Sequence, residues 1–305
     1  RGEPVAFSGT AYVRVGTSKT ELRKHPEKAR ALWTRGSDWS AVLCEAASLD
    51  DLDPEAITKA REQFVIKHPN QAAELNGWDD RTFLNKARVL QQGVVTNTAL
   101  LLLGRAESAT LLSPAVAKLS WILKDASNRE LDYEHIGPPF LLAGDRLQKR
   151  MRNLVVRALP IGTLFPQEIT QYDPWVLREA LHNAIAHQDY RRRGRIVVVE
   201  FPDRVLVTNV GDFLPGDVET VIRQDAPQAI YRNPFLADAM VELNLIDTQG
   251  GGIKRMFETQ RRRSFPLPDY DFSALGEVRV EVAGRIVDER YTRLLMQQPD
   301  LSLQQ

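Results

Sequence analysis

The chain has 305 residues, 43% of them hydrophobic and 26% charged, an ordinary globular balance with length enough for two or three domains. Lysine plus arginine equals aspartate plus glutamate at 40 each, so no global basic field draws the protein to nucleic acid, and only a local patch could do so. The single cysteine, Cys44, excludes an internal disulfide framework and a cysteine-rich zinc site, and fits a reducing cytosol.

No stretch is apolar for long enough to span a bilayer, and the N-terminus lacks a signal-peptide pattern, so a cytoplasmic protein without a membrane partner is expected. The abrupt start at RGEPVAF and the helical-looking end at LSLQQ read as the ends of a piece of something longer.

Taken in order, residues 9–15 alternate as a strand, and a charged helix is expected from about Lys19 to Trp33. SLDDLDP has turn composition, with Asp53 and Pro54 as helix start signals, which places a domain boundary near 48–53. One helix runs through AITKAREQFVI. A second starts at Asp79 or Asp80, carries Phe83, Leu84, Ala87 and Leu90, and stops at Gly93. Thr96 then caps a short, wholly apolar helix to Leu103. This middle segment has winged-helix-like character, and its polar residues form no catalytic constellation.

Residues 115–123 read as a strand, and the Gly-Pro-Pro break before Phe140 leads into a helix expected from Leu141 to Leu159. A short edge-like strand at 166–172 precedes the most informative stretch, Asp173 to Tyr190. Asp173 can cap that helix and Pro174 can open it. Val176, Leu177, Ala180, Leu181, Ala184 and Ile185 recur on one side, while Glu179, His182, Asn183, Ala186 and His187 share the other. Glu179 and Asn183, one turn apart, pair a carboxylate with a neutral oxygen. Such a pair suits a magnesium-bound polyphosphate: the Asn oxygen ligates the cation without adding charge, and the Glu accepts a proton from an attacking water.

Residues 194–201 and 204–211 form a hairpin through Pro202-Asp203. Three helical patterns, a strand at 277–284 and the start of a helix at 286–295 follow. Three downstream loops could ring one pocket. Asn209-Val210-Gly211 ends a strand where glycine allows close approach of a flat ligand, although taken alone it reads first as a plain turn. Tyr231-Arg232-Asn233-Pro234 opens a helix and offers an arginine to phosphate, or is a capped surface loop. Gly250-Gly251-Gly252 presents bare amides at a helix N-terminus, where anions bind.

This order of elements resembles the GHKL ATP-binding fold shared by histidine kinases, DNA gyrase and MutL, in the divergent branch attached to Schlafen-like AlbA domains. Glu179-Ala-Leu-His-Asn183, continuing to His187-Gln-Asp-Tyr190, resembles the N box. Asn209-Val-Gly211 resembles the first glycine box, Arg232-Asn-Pro234 the branch's RNP element, and Gly250-Gly-Gly252 the second glycine box. Residues 11–20 are similar to the last strand of an AlbA domain. The resemblance implies an α+β protein: a partial AlbA-like α/β domain over 1–48, a mostly helical middle domain over 49–138, a GHKL (Bergerat) sandwich over 139–284 with a mixed or antiparallel sheet and helices on one face, and a helical extension over 285–305.

It also implies ATP and Mg2+ as cofactors, Glu179 as the catalytic residue and Asn183 as the metal ligand. Nucleotide contacts would come from Asn183, His187, Asn209, Gly211, Arg232, Gly250, Gly251, Gly252 and Lys254. The implied function is an ATP-binding regulator of transcription with DNA as partner, compatible with a homodimer. Two departures stand out: Asn209 replaces the usual adenine-binding carboxylate, and Gln188 replaces the usual arginine of the helix end. The branch's helicase-related catalogue name suggests a motor, yet no G-x-x-x-x-G-K-[ST] loop occurs. A scaffold whose nucleotide site has decayed is the third reading. The five histidines have no zinc spacing, and His182 is expected to be a hydrogen-bonded structural residue.

Overall fold

The computed structural model describes residues 38–158, 167–224, 230–246, 251–263 and 265–285, and within the first 37 residues 6–7, 10–15, 18–25 and 28. The chain divides into two compact units, Arg1–Trp39 and Ser40–Gln305. In the first, β1 (Ala6–Phe7), β2 (Thr10–Val15) and β3 (Ser18–Glu21) form an antiparallel sheet in that order. The helix expected from Lys19 does not begin there. Val15 pairs with Ser18, and the ladder continues through Lys19, Thr20 and Glu21 instead of releasing the chain into a helix. Apart from Lys28, residues 26–33 of that expected helix lie outside the described residues.

The second unit opens with α1 (Pro54–Lys67), whose N-terminus is capped by Asp53 accepting from the Ala56 amide at 3.0 Å. After α2 (Ala72–Leu75) comes α3 (Asp80–Lys86), shorter than expected. Arg88 turns left-handed at φ 57° and ends the helical path, so Leu90 falls in β4 (Leu90–Gln91), paired with β5 (Val94–Val95) across a turn in which Gln92 and Gly93 both have positive φ. Thr96 caps α4 (Asn97–Leu103), every residue of which is buried.

β6 (Leu119–Lys124) and β7 (Glu130–Ile136) pair antiparallel. The next helix, α5 (Phe140–Arg150), stops well before Leu159. Asn153 explains the stop: its carbonyl accepts from the Tyr172 amide at 2.7 Å and its amide donates to the Tyr172 carbonyl at 3.1 Å, clamping the chain to the segment ahead of the next helix. The Val-rich continuation becomes β8 (Val155–Ala158), paired with β9 (Gln167–Thr170). Then come α6 (Pro174–His187), β10 (Ile196–Glu200), β11 (Arg204–Val210), α7 (Val218–Arg223), α8 (Pro234–Glu242), α9 (Gly252–Arg262), β12 (Asp269–Asp271) and β13 (Glu277–Ala283). The helix expected at 286–295 lies outside the described residues.

The α+β class holds, with six strands in one mixed sheet in the order β12-β13-β11-β10-β6-β7. Only β10 and β6 run parallel; every other neighbour is antiparallel. Strand alternation sorts the two faces. Leu119 and Trp121, Ile196 and Val198, Val205 and Val207, and Val280 and Val282 are buried on the face that carries α6. Glu200 is buried among them, 2% exposed, and its carboxylate accepts from Trp121 Nε1 at 3.0 Å and from Arg152 at 3.1 Å. These donors offset the cost of enclosing a carboxyl group in the sheet interior. Among the described residues, no helix is long and apolar enough to cross a membrane.

Candidate functional site

α6 forms where its start signals place it. Asp173 Oδ1 accepts from the Trp175 amide at 2.9 Å and the Val176 amide at 3.3 Å, and Pro174 needs no partner at the first position. Val176, Ala180 and Ala184 are buried, and their small size lets the helix ride close over the sheet. Between α6 and the sheet lies a cleft of about 280 Å3. Glu179, Asn183 and His187 line it from the helix, and Val207, Asn209, Val278 and Val280 from the strands.

At one end, Asn183 Nδ2 donates to Glu179 Oε1 at 3.1 Å, which turns the amide's oxygen to the opposite side. The N-terminus of α9 abuts the same carboxylate. A Cβ built on Gly252 would stand 1.7 Å from Glu179 Oε1 and 2.6 Å from its Cδ, so any side chain there would have to push the carboxylate aside. The positive end of the α9 dipole thus faces an anionic group inside the cleft. Tyr270 of β12 lines the same space, stacked against Phe257 at 6.3 Å between centroids. Burial first, then the Glu179 charge, push its phenol well above the ordinary range.

At the other end, the His187 ring stacks on Tyr231, 5.2 Å between centroids, and burial followed by the Arg232 charge lowers its pKa to about 4. Asn209 is 6% exposed and aligned on the cleft side of β11 by strand alternation. Glu179, Asn183, His187, Asn209 and Gly252 therefore share one cleft.

Of the other expected nucleotide contacts, those among the described residues do not line the cleft. Gly211 has φ +142°, and a Cβ there would lie 3.1 Å from both Arg232 Nε and the His187 carbonyl; its role is to let three segments close together. Arg232 turns inward, donating to the Asp212 carbonyl at 3.0 Å and standing 3.7 Å from Asp189, and it does not line the cleft. Gly251 caps α9, and neither it nor Lys254 lines the cleft; Gly250 lies outside the described residues.

Gln188, which stands where the resemblance leads one to expect arginine, is fully buried. Its Nε2 donates to the Gly194 carbonyl and its Oε1 accepts from the Val210 amide, both at 2.8 Å, so this position ties α6 to β11 and faces no ligand. Asn233 completes the brace, donating to the carbonyls of Ala186 and Gln188 at 2.9 Å each. His182 is buried on the far side of α6 with Nδ1 2.6 Å from the Leu245 carbonyl.

Sequence reading missed Tyr270, Asp212 and Phe213 as lining residues. Tyr270 sits on a three-residue strand too short for periodicity to register. Among the described residues, no group of three or more His, Cys, Asp or Glu could hold a metal. The Glu179 and Asn183 oxygens are the hard donors that Mg2+ takes in ones and twos when phosphates and water complete its shell.

Residues 194–282 resemble a RecG C-terminal domain. The matching family model is described as "Putative ATP-dependent DNA helicase recG C-terminal", an ATPase-like domain, and the match runs from β10 to β13 with Asn209 and Gly252 inside it and α6 outside. Residues 31–118 match a model described as a domain of unknown function. A crystal structure of the DIP2311 protein from Corynebacterium diphtheriae is similar with a TM-score of 0.66 at 23% identity, over 96% of this chain and 57% of that one. That likeness concerns the fold alone, and the chain spans little more than half of that structure. No curated protein matches.

Proposed function

We propose that the cleft binds ATP with Mg2+ in the manner of the GHKL fold, and that the protein couples nucleotide occupancy to DNA binding as a cytoplasmic transcriptional regulator with an AlbA-like N-terminal portion. The carrying observation is the meeting of Glu179, Asn183 and Gly252 at one end of a cleft whose sheet wall presents Asn209.

The nucleobase would lie against Val207, Val278 and Val280 with its edge toward the Asn209 amide, which can both accept and donate. The phosphates would lie toward α9. There Asn183 would hold Mg2+, whose contribution when bound is to neutralise charge on phosphate oxygens. Glu179, enclosed between Asn183 and the Gly252 backbone, would accept a proton from water. The similarity of residues 194–282 to a RecG C-terminal domain supports both the nucleotide and the DNA-associated parts of this reading. A motor helicase is disfavoured by the lack of a phosphate-binding G-x-x-x-x-G-K-[ST] loop.

The test is thermal melting with and without ATP and Mg2+. Wild type should melt higher with both present, and Asn183→Ala should erase the rise. No rise in wild type at millimolar ATP overturns the proposal.

A further inference from the structure

Behind α6, on the side away from the cleft, lies a second cavity of about 130 Å3 between α1, α5 and α6. A cavity of this order accepts a benzene-sized molecule, or about four waters at roughly 30 Å3 each. Its walls are of two kinds. Leu141, Leu177 and Leu181 make an apolar surface, while His182, Arg178, Lys59 and the Asp145 carboxylate, the last 3.9 Å from Lys59, supply polar heads.

His182 is 5% exposed, and its Nδ1 lies 2.6 Å from the Leu245 carbonyl. A carbonyl only accepts, so Nδ1 carries the proton and Nε2 is left as a bare acceptor. That nitrogen faces Gly144 in the middle of α5: a Cβ there would stand 3.9 Å from it. Glycine weakens a helix interior, and here it leaves open the approach to Nε2. Arg178, one turn before His182 on the same helix, pairs with no carboxylate among the described residues.

We propose that this cavity is a second binding site, for a short hydroxycarboxylate whose hydroxyl donates to His182 Nε2 and whose carboxylate is held by Arg178. The carbon skeleton covers Leu177 and Leu181. Lys59 is the lesser cation because it already stands 3.5 Å from Glu62 and 3.9 Å from Asp145. The geometry asks for a donor and an anion on one small body, and a guanidinium with a free fork meets a carboxylate bidentately.

The test titrates the purified chain with lactate while following the His182 imidazole NMR signals, assigned by their loss in His182→Gln. Propionate, which lacks the hydroxyl, and 2-propanol, which lacks the charge, serve as half-ligands. Lactate should shift the His182 signals in a saturable way, and each half-ligand should bind at least about tenfold more weakly. Arg178→Ala should weaken lactate by a similar factor. Gly144→Ala, whose new methyl covers Nε2 at ordinary contact distance while improving the helix, should abolish the shift without lowering the melting temperature. An absent shift at high millimolar lactate, or one unchanged in Arg178→Ala and Gly144→Ala, overturns the proposal.

Discussion

Gly252 and Glu179 are in contact through backbone and carboxylate, with no room between them for a single methyl group. Gly252→Ala must therefore displace Glu179 or shift the start of α9. Alanine otherwise favours a helix, so the variant should stay folded while its ATP affinity falls by about tenfold or more. Isothermal titration with ATP and Mg2+, paired with a circular dichroism melt, checks both halves.

Glu179 itself should separate binding from turnover. Glu179→Gln keeps an oxygen for Asn183 to donate to but cannot take up a proton. Nucleotide binding should survive and any phosphate release should drop by about 100-fold or more. Equal loss of both would contradict the base role.

Acid should weaken the fold through two histidines. His182 and His187 titrate near 4, chiefly because of burial, against 6.5 for the free side chain. Between those values the unfolded chain binds more protons than the folded one, so stability is full above about pH 6.5 and declines as pH falls toward 4. Each site contributes on the order of 3 kcal/mol by linkage. Urea melts across that range should show the decline, and His182→Gln or His187→Gln should each flatten part of it.

Glu200 is tied to Trp121 and Arg152 in the sheet interior. Glu200→Ala leaves the buried Trp121 indole N–H unmatched, while the half-exposed Arg152 turns to water, and should destabilise the protein by about 1–3 kcal/mol. Urea denaturation followed by tryptophan fluorescence measures it, and a loss below about 0.5 kcal/mol would mean that solvent already reaches the site.

Much of the site was legible because local rules governed it. Asp173 and Pro174 announced α6, helical spacing put Glu179 beside Asn183, and alternation along 204–210 put Asn209 on the cleft side. Gly252 was legible only as bare backbone; that a carboxylate fills the space is a tertiary fact. Where distant segments decide, local rules are silent. Arg232, expected to meet phosphate, is also held by Asp189 and the Asp212 carbonyl from segments far away in sequence. α5 was drawn too long because leucines and valines continue past Arg150, while the clamp that stops it joins Asn153 to Tyr172. β7 escaped notice because Leu131 and Tyr133 are exposed and its other side carries charges paired with Arg146 and Arg150, so neither face reads as core.

The parallel seam between β6 and β10 reaches beyond the local fold. It joins strand 119–124 to the first strand of the stretch that resembles a RecG C-terminal domain, and supplies Trp121 to Glu200 across the join. Cut free at residue 194, that stretch would carry an open row of amides and carbonyls along β10 and a carboxylate stripped of its indole, an invitation to self-association. The region recognisable by sequence is thus smaller than the unit that can stand alone.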